Sequence, residues 1–300
     1  RELKIQMSSN RYISQAMKDI IRHLPVDMDM MSVLRTALSA EGSKEYSWKP
    51  TIKQAIRLTA IIPTIIAFRN SLLEQKPFNE PNEELDHAAN YLYMLTGSIP
   101  SNAVVNALET YMILTLEHGM NASAFSARVT ASTESDMVSS ITSAIGTMKG
   151  PLHGGAPSGV IDLLNLIGTV DRAEMVIREK LNKGEKLMGF GHRVYKTHDP
   201  RALALREKLL ESSGADDSLD LAIHVESTAI KILEEIKPGR SLYTNVEFYA
   251  AAIMKSINLK ADLFTPTFTA SRVVGWTTHV LEQAENNVIY RPKSEYIGEL

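Results

Sequence analysis

Three histidines stand beside glycine at breaks between helical stretches: His118 in LEHGMNAS, His153 in KGPLHGGAPS and His192 in GFGHRVYKTHDPRA. A carboxylate, Glu247, follows in TNVEFYAA. Glycine removes the side chain that would hold a ligand off the backbone, and a helix end leaves unpaired N–H or C=O groups facing the gap. Imidazole and carboxylate in such settings suit proton transfer and the bracing of a developing oxyanion. Pro151 and its neighbouring glycines keep His153 out of a helix, and Pro157 suits the first turn of the next one. The positive end of that helix disfavours imidazolium, so His153 is expected to stay neutral and donate to a carbonyl oxygen gaining charge. A capping histidine would satisfy the same local motif. Glu247 opens an apolar helical run, where partial desolvation would raise its basicity. A first-turn glutamate complementing the helix dipole is the plainer alternative.

In KLMGFGHRVYKTHDPRA, Gly189 and Gly191 let a ligand approach the backbone, while Arg193, Lys196 and Arg201 favour an anion there. GFGHRV lacks the third glycine of the dinucleotide fingerprint and follows no recognisable strand, and no GxxxxGK occurs. His192 and His198 lie across a loop with no further ligand at helical spacing, so no metal site is expected. His23, His87, His198, His224 and His279 lack the glycine setting and read as surface or packing groups. Arg272 in FTASRVVGW and Arg291 in VIYRPKSEY sit in apolar surroundings where an unpaired guanidinium is costly. A substrate with two carboxylates would relieve both, as would structural ion pairs.

The elements that must carry these groups are helical almost throughout. Val104, Leu108, Met112 and Leu116 form one apolar stripe, and Met137, Ile141, Ile145 and Met148 another, whereas strand-type alternation is scarce. Thr133, three before Asp136, resembles a capping-box start; Gly168, Gly184 and Gly214 read as helix stops. Asp199 before Pro200 should cap a helix through about Leu210. Ser218 should begin another with the stripe Leu221, Val225, Ile232 and Ile236, and Pro266 should open the last long one.

A length of 300 residues allows one large domain or two ordinary ones, and two is the reading preferred. The balance of 44% hydrophobic and 22% charged residues is that of a folded globular chain, not a disordered one. A net charge of -3 without a basic stripe argues against nucleic acid. The absence of cysteine excludes thiolate chemistry and fits a reducing cytoplasm. The greasiest stretch, Ile56 to Phe68, falls short of the roughly 20 apolar residues of a membrane span and reads as a buried helix. The chain opens on Arg1, not Met, as an incomplete or processed product would.

GPLHGG, GFGHRVYK with DPRA, and NVEF resemble the signature segments of the citrate synthase family, in that family's order and approximate spacing. LEHGMNASAFSARV and YRPKSEYIG resemble further family segments, so the similarity runs from about Asn90 to the C-terminus and more weakly before it. The resemblance implies an all-α subunit of the citrate synthase-like fold. Its large helical domain would comprise residues 1–154 and 258–300 and its smaller helical domain residues 155–257, closing over substrate in an intertwined homodimer. It also implies an N-terminal segment ahead of Arg1, and no cofactor, acetyl-CoA being a substrate.

Carried over by position, Glu247 matches the carboxylate that deprotonates acetyl-CoA, His153 the group on the thioester oxygen and His192 the group polarising the ketone of oxaloacetate. His118, Arg201 and Arg272 match oxaloacetate contacts, as does Arg291, reaching into the partner's site. Leu187, Gly189, Gly191, Arg193 and Lys196 match positions bordering CoA. One residue departs from the pattern: the family's usual aspartate in NVEF is glutamate here. The extra methylene shifts the carboxylate by about 1.5 Å, and a misplacement near 1 Å can cost on the order of a hundredfold in rate. A 2-methylcitrate synthase using propionyl-CoA and a noncatalytic CoA- or dicarboxylate-binding paralogue are the alternatives.

Overall fold

The computed structural model describes residues 2–191, 197–212, 217–240 and 242–298. These residues are helical, with no strand among them beyond one isolated bridge. In chain order the helices are α1 (Glu2–Ser9), α2 (Gln15–His23), α3 (Met30–Ser39), α4 (Ile52–Leu73), α5 (His87–Thr96), α6 (Asn102–Thr115) and α7 (Ala122–Ser132). There follow α8 (Met137–Met148), α9 (Ala156–Ile167), α10 (Ala173–Asn182), α11 (Pro200–Ser212), α12 (Asp217–Ile236), α13 (Val246–Ser256) and α14 (Phe264–Glu285).

Helix α8 shows how the sequence builds its site. Asp136 caps it by accepting from the Ser139 amide at 2.9 Å. The stripe Met137, Ile141, Ile145 and Met148 is wholly buried, each side chain contributing about 1.5–3 kcal/mol relative to exposure. That stripe packs α8 on α3, α7 and α14, which fixes where the turn after Met148 emerges. Thr133 does not start this helix: Glu134 takes a left-handed backbone (φ 64°), which ends α7 and leaves Asp136 as the cap. Pro157 falls in the first turn of α9 and Gly168 ends that helix, while Gly214 lies outside the described residues. Ile236, expected to face inward, is 41% exposed in the last turn of α12.

Helix α4 is longer than the apolar stretch suggests. It runs 22 residues from a capping box made by Thr51 and Gln54, and its composition alone would let it cross a membrane. Instead 78% of its apolar window is buried against other helices, so it is a core element. Helix α14, beginning at Phe264 with Pro266 inside its first turn, packs on α3, α4, α6, α7, α8 and α9. Helices α9 to α13 pack on one another. They reach the rest through α11 and α13 on α6, and through α9 on α14 and the turn Ala261–Leu263.

Candidate active site

His153 lies in the turn between α8 and α9, its amide donating to Gly150 O at 2.9 Å. The next residue must be glycine, because a Cβ on Gly154 would fall 2.2 Å from Met148 O. The imidazole Nε2 is 2.7 Å from Ser123 Oγ on α7, and Trp276 Nε1 of α14 donates to the same oxygen at 2.9 Å. An indole nitrogen only donates, so the serine proton is directed elsewhere, to His153 or to Asn121 Oδ1 at 2.8 Å. When it goes to His153, Nε2 accepts and the ring carries its proton on Nδ1, where a ligand oxygen would compete with the residue's own backbone for it. Burial pushes the His153 pKa down to about 4, assisted by the positive charge of Arg272 and opposed by a hydrogen bond to its own backbone. A pKa near 4 leaves the ring neutral at pH 7, as expected, with burial the largest cause and the cation of Arg272 the next.

Arg272 is 3% exposed on α14. Its Nε donates to Thr115 O at 2.6 Å and its guanidinium carbon sits 4.8 Å over the Phe268 ring. Among the described residues no carboxylate pairs with it, and burial lowers its pKa to about 10. Glu117, Tyr111 and Glu247 counter that shift while Arg201 adds to it. Arg272 is therefore a buried cation whose field is shared by His153, Glu247, Glu117 and Arg201, and a dianionic ligand would find two guanidinium groups there.

Glu247 is half-buried in the first turn of α13. Two acids hold that helix start. Asp199 is 1% exposed and accepts from Val246 N at 3.2 Å, from Arg201 N at 3.0 Å, and from Arg201 Nε and Nη2 at 3.1 and 2.8 Å. Glu226 of α12 accepts from Thr244 Oγ1 at 2.7 Å, from the Tyr249 hydroxyl, and from Arg206 Nε at 3.3 Å. The sequence reading found Asp199 as a helix cap but missed its grip on Arg201 and α13. It missed Glu226, which lies within α12 away from any glycine, and passed over Ser123 in the first turn of α7 beside the more conspicuous His118.

The segment before His192 is laced to the segment before Glu247. Gly191 N donates to Tyr243 O at 2.7 Å, Asn245 N to Gly189 O at 2.9 Å, and Phe190 bridges Thr244 antiparallel. Gly189 and Gly191 adopt φ of 90° and 83°, and a Cβ on Gly189 would lie 2.9 Å from both Phe248 and Val160. The bareness of Gly189 thus serves packing against α13 and α9 before it serves any ligand, and that of Gly191 leaves room for Leu242. The Leu187 side chain is buried in the core, leaving only its backbone to meet a ligand. His192, Arg193 and Lys196 lie outside the described residues.

His118 occupies the loop between α6 and α7, where Glu117 accepts from the amides of His118 and Gly119. His279, read from sequence as a surface or packing group, is 9% exposed and bonds Glu117 Oε1 through Nε2 at 3.1 Å. Arg291 is exposed in the segment after α14 and makes no hydrogen bond or ion pair among the described residues. The described part of the site thus combines a neutral imidazole, a carboxylate and buried guanidinium charge. That set can remove a weakly acidic proton while bracing the oxygen that gains charge.

The family model for the citrate synthase C-terminal domain matches residues 1–293. Citrate synthase 2 of Bacillus subtilis is 40% identical over 99% of the chain and 80% of its own length. A 2-methylcitrate synthase of Shewanella oneidensis is 36% identical over 98% of the chain and 78% of its length. The citrate synthase of Thermoplasma acidophilum, solved as a ternary complex with carboxymethyl coenzyme A and oxaloacetate, superposes with a TM-score of 0.89. It is 28% identical, covering 100% of this chain and 81% of that one.

Proposed function

The chain belongs to the citrate synthase family, and from that premise we propose that it condenses acetyl-CoA with oxaloacetate and hydrolyses citryl-CoA to citrate and free CoA. One observation carries this reading: His153 is held at 2.7 Å by Ser123, which Trp276 of α14 holds at 2.9 Å, and the same helix carries the buried Arg272, so the oxyanion donor and the anion site share one support. The Glu247 carboxylate takes the α-proton of the thioester, and the C–H electron pair becomes the enol double bond. The thioester oxygen, gaining charge, accepts a hydrogen bond from His153. A thioester α-hydrogen is a weak acid, so an ordinary carboxylate succeeds only when that oxygen is stabilised in the same step. The enol carbon attacks the ketone carbon of oxaloacetate, whose oxygen draws a proton from His192. Water then cleaves the thioester.

His118, Arg201 and Arg272 hold the dicarboxylate, Arg291 completes the site of a second subunit, and Leu187 to Gly191 with Arg193 and Lys196 border CoA. Closure of residues 155–257 onto the rest would exclude water and protect the enol. The lack of cysteine fits a reducing compartment, the cytoplasm. The 36% identity to a 2-methylcitrate synthase keeps propionyl-CoA as the second substrate reading, since a hydrophobic pocket discriminates one methylene by only about 1–3 kcal/mol.

Thiol release with each acyl-CoA tests both. Release that requires oxaloacetate and shows higher kcat/KM for acetyl-CoA is expected, and a clear propionyl preference would reverse the assignment. Glu247→Gln should lower kcat by on the order of a thousandfold or more while leaving oxaloacetate affinity within about threefold. Full activity in that variant would refute the base, and oxaloacetate binding without any turnover of the native chain would favour a noncatalytic paralogue.

A further inference from the structure

His279 is tied to the His118 loop by a chain of directed hydrogen bonds. Arg128 Nε donates to His279 Nδ1 at 2.8 Å. A guanidinium only donates, so Nδ1 is an acceptor and the ring proton resides on Nε2. That proton is directed at Glu117 Oε1, 3.1 Å away. Glu117 in turn accepts from Gly119 N at 2.7 Å through the same oxygen and from His118 N through the other. The loop itself is pinned to α14 where Gly275 N donates to Leu116 O at 3.1 Å. Arg128 is held at its outer end by Gln283 Oε1 at 3.2 Å and by Glu282.

Glu117 has another cation within electrostatic reach. Its Oε2 lies 3.3 Å from where a Cβ on Gly275 would stand, one turn of α14 from Arg272, and its negative charge opposes the lowering of the Arg272 pKa. Three N–H donors hold that carboxylate where it is, occupying three of its roughly four acceptor sites.

We infer that His279 is a positioning residue that restrains the Glu117 carboxylate from closing on Arg272, keeping that guanidinium open for the substrate dicarboxylate and the His118 loop in register. This rests on the oxaloacetate role given to His118 and Arg272 above. Without the Nε2–H, the carboxylate loses one of its three donors and becomes a competitor for the fork that substrate needs. Glutamine should serve in its place, because an amide offers one acceptor to Arg128 and one donor to Glu117.

The test measures oxaloacetate affinity by calorimetry and steady-state KM on the full chain. His279→Leu should weaken oxaloacetate at least tenfold while the KM for acetyl-CoA stays within twofold, and His279→Gln should stay within threefold of the native chain for both. The double variant His279→Leu with Glu117→Gln should regain at least threefold over His279→Leu, because the competing charge is gone. Unchanged oxaloacetate affinity in His279→Leu, or equal weakening of both substrates, overturns the inference, as does failure of the double variant to recover. Should His279→Leu not fold, Arg128→Met frees the ring tautomer from the partly exposed end of the chain. A threefold or greater rise in oxaloacetate KM is then expected, and no rise overturns the inference. Native protein that binds oxaloacetate without turnover refutes the functional reading alone, whereas native protein that binds none refutes both.

Discussion

His153 gives the clearest single-residue expectation. Its folded pKa is about 4, below the roughly 6.5 of an unfolded histidine. Between those values the unfolded chain binds a proton that the folded chain refuses. The contribution of this ring to stability is therefore complete above about pH 6.5 and is lost as pH falls toward 4. Melting temperature recorded from pH 7 to pH 4 should fall, and His153→Gln should flatten part of the slope. A remainder belongs to His87, which burial and nearby Arg11 likewise push down to about 4. The acid limb of kcat should lie well under 6.5, and a limb at 6.5 that vanishes in His153→Gln would contradict a neutral ring. At this scale the sequence was legible where a polar group sits beside glycine, as at His153, or opens an apolar helical run, as at Glu247. It was opaque at Ser123, Glu226 and His279, whose parts are set by partners 30, 18 and 162 residues away in sequence.

The helices were legible because their signals are local. Periodic apolar residues with a cap before them located α8, α11 and α12 to within a few residues, which is as far as propensity and capping reach. Misplacements came where backbone conformation broke the pattern, as at Glu134, or where a helix terminus frays toward solvent, as at Ile236. The burial of α8 is what aims the His153 turn. Ile141→Ala should cost about 2–4 kcal/mol, read as a lowered denaturation midpoint at unchanged slope. Because Ile141 lies two turns before the end of α8 and the histidine lies beyond that end, kcat in folded protein should fall less than tenfold. A loss of kcat without loss of stability would show that α8 positions the turn by some means other than its core stripe.

For the whole molecule, length alone suggested two domains, whereas their proposed bounds and the proposed intertwined dimer rest on likeness to a family, since no local pattern encodes which surface meets a second copy. Arg291 carries the consequence, exposed after α14 and without an ion-pair partner among the described residues. Chains carrying Arg291→Ala and chains carrying Glu247→Gln should each be nearly inactive. Coexpressed, they should recover about a quarter of native activity, because half the dimers are mixed and each mixed dimer holds one intact site. Recovery near zero would place Arg291 in its own subunit's site. The stitching of residues 189–191 to 243–245 has a mechanical corollary, since His192 follows one side of that seam and Glu247 follows the other. Whatever displaces residues 189–191 drags residues 243–245 with them, so the two stretches of backbone that lead toward those positions travel as a single ribbon.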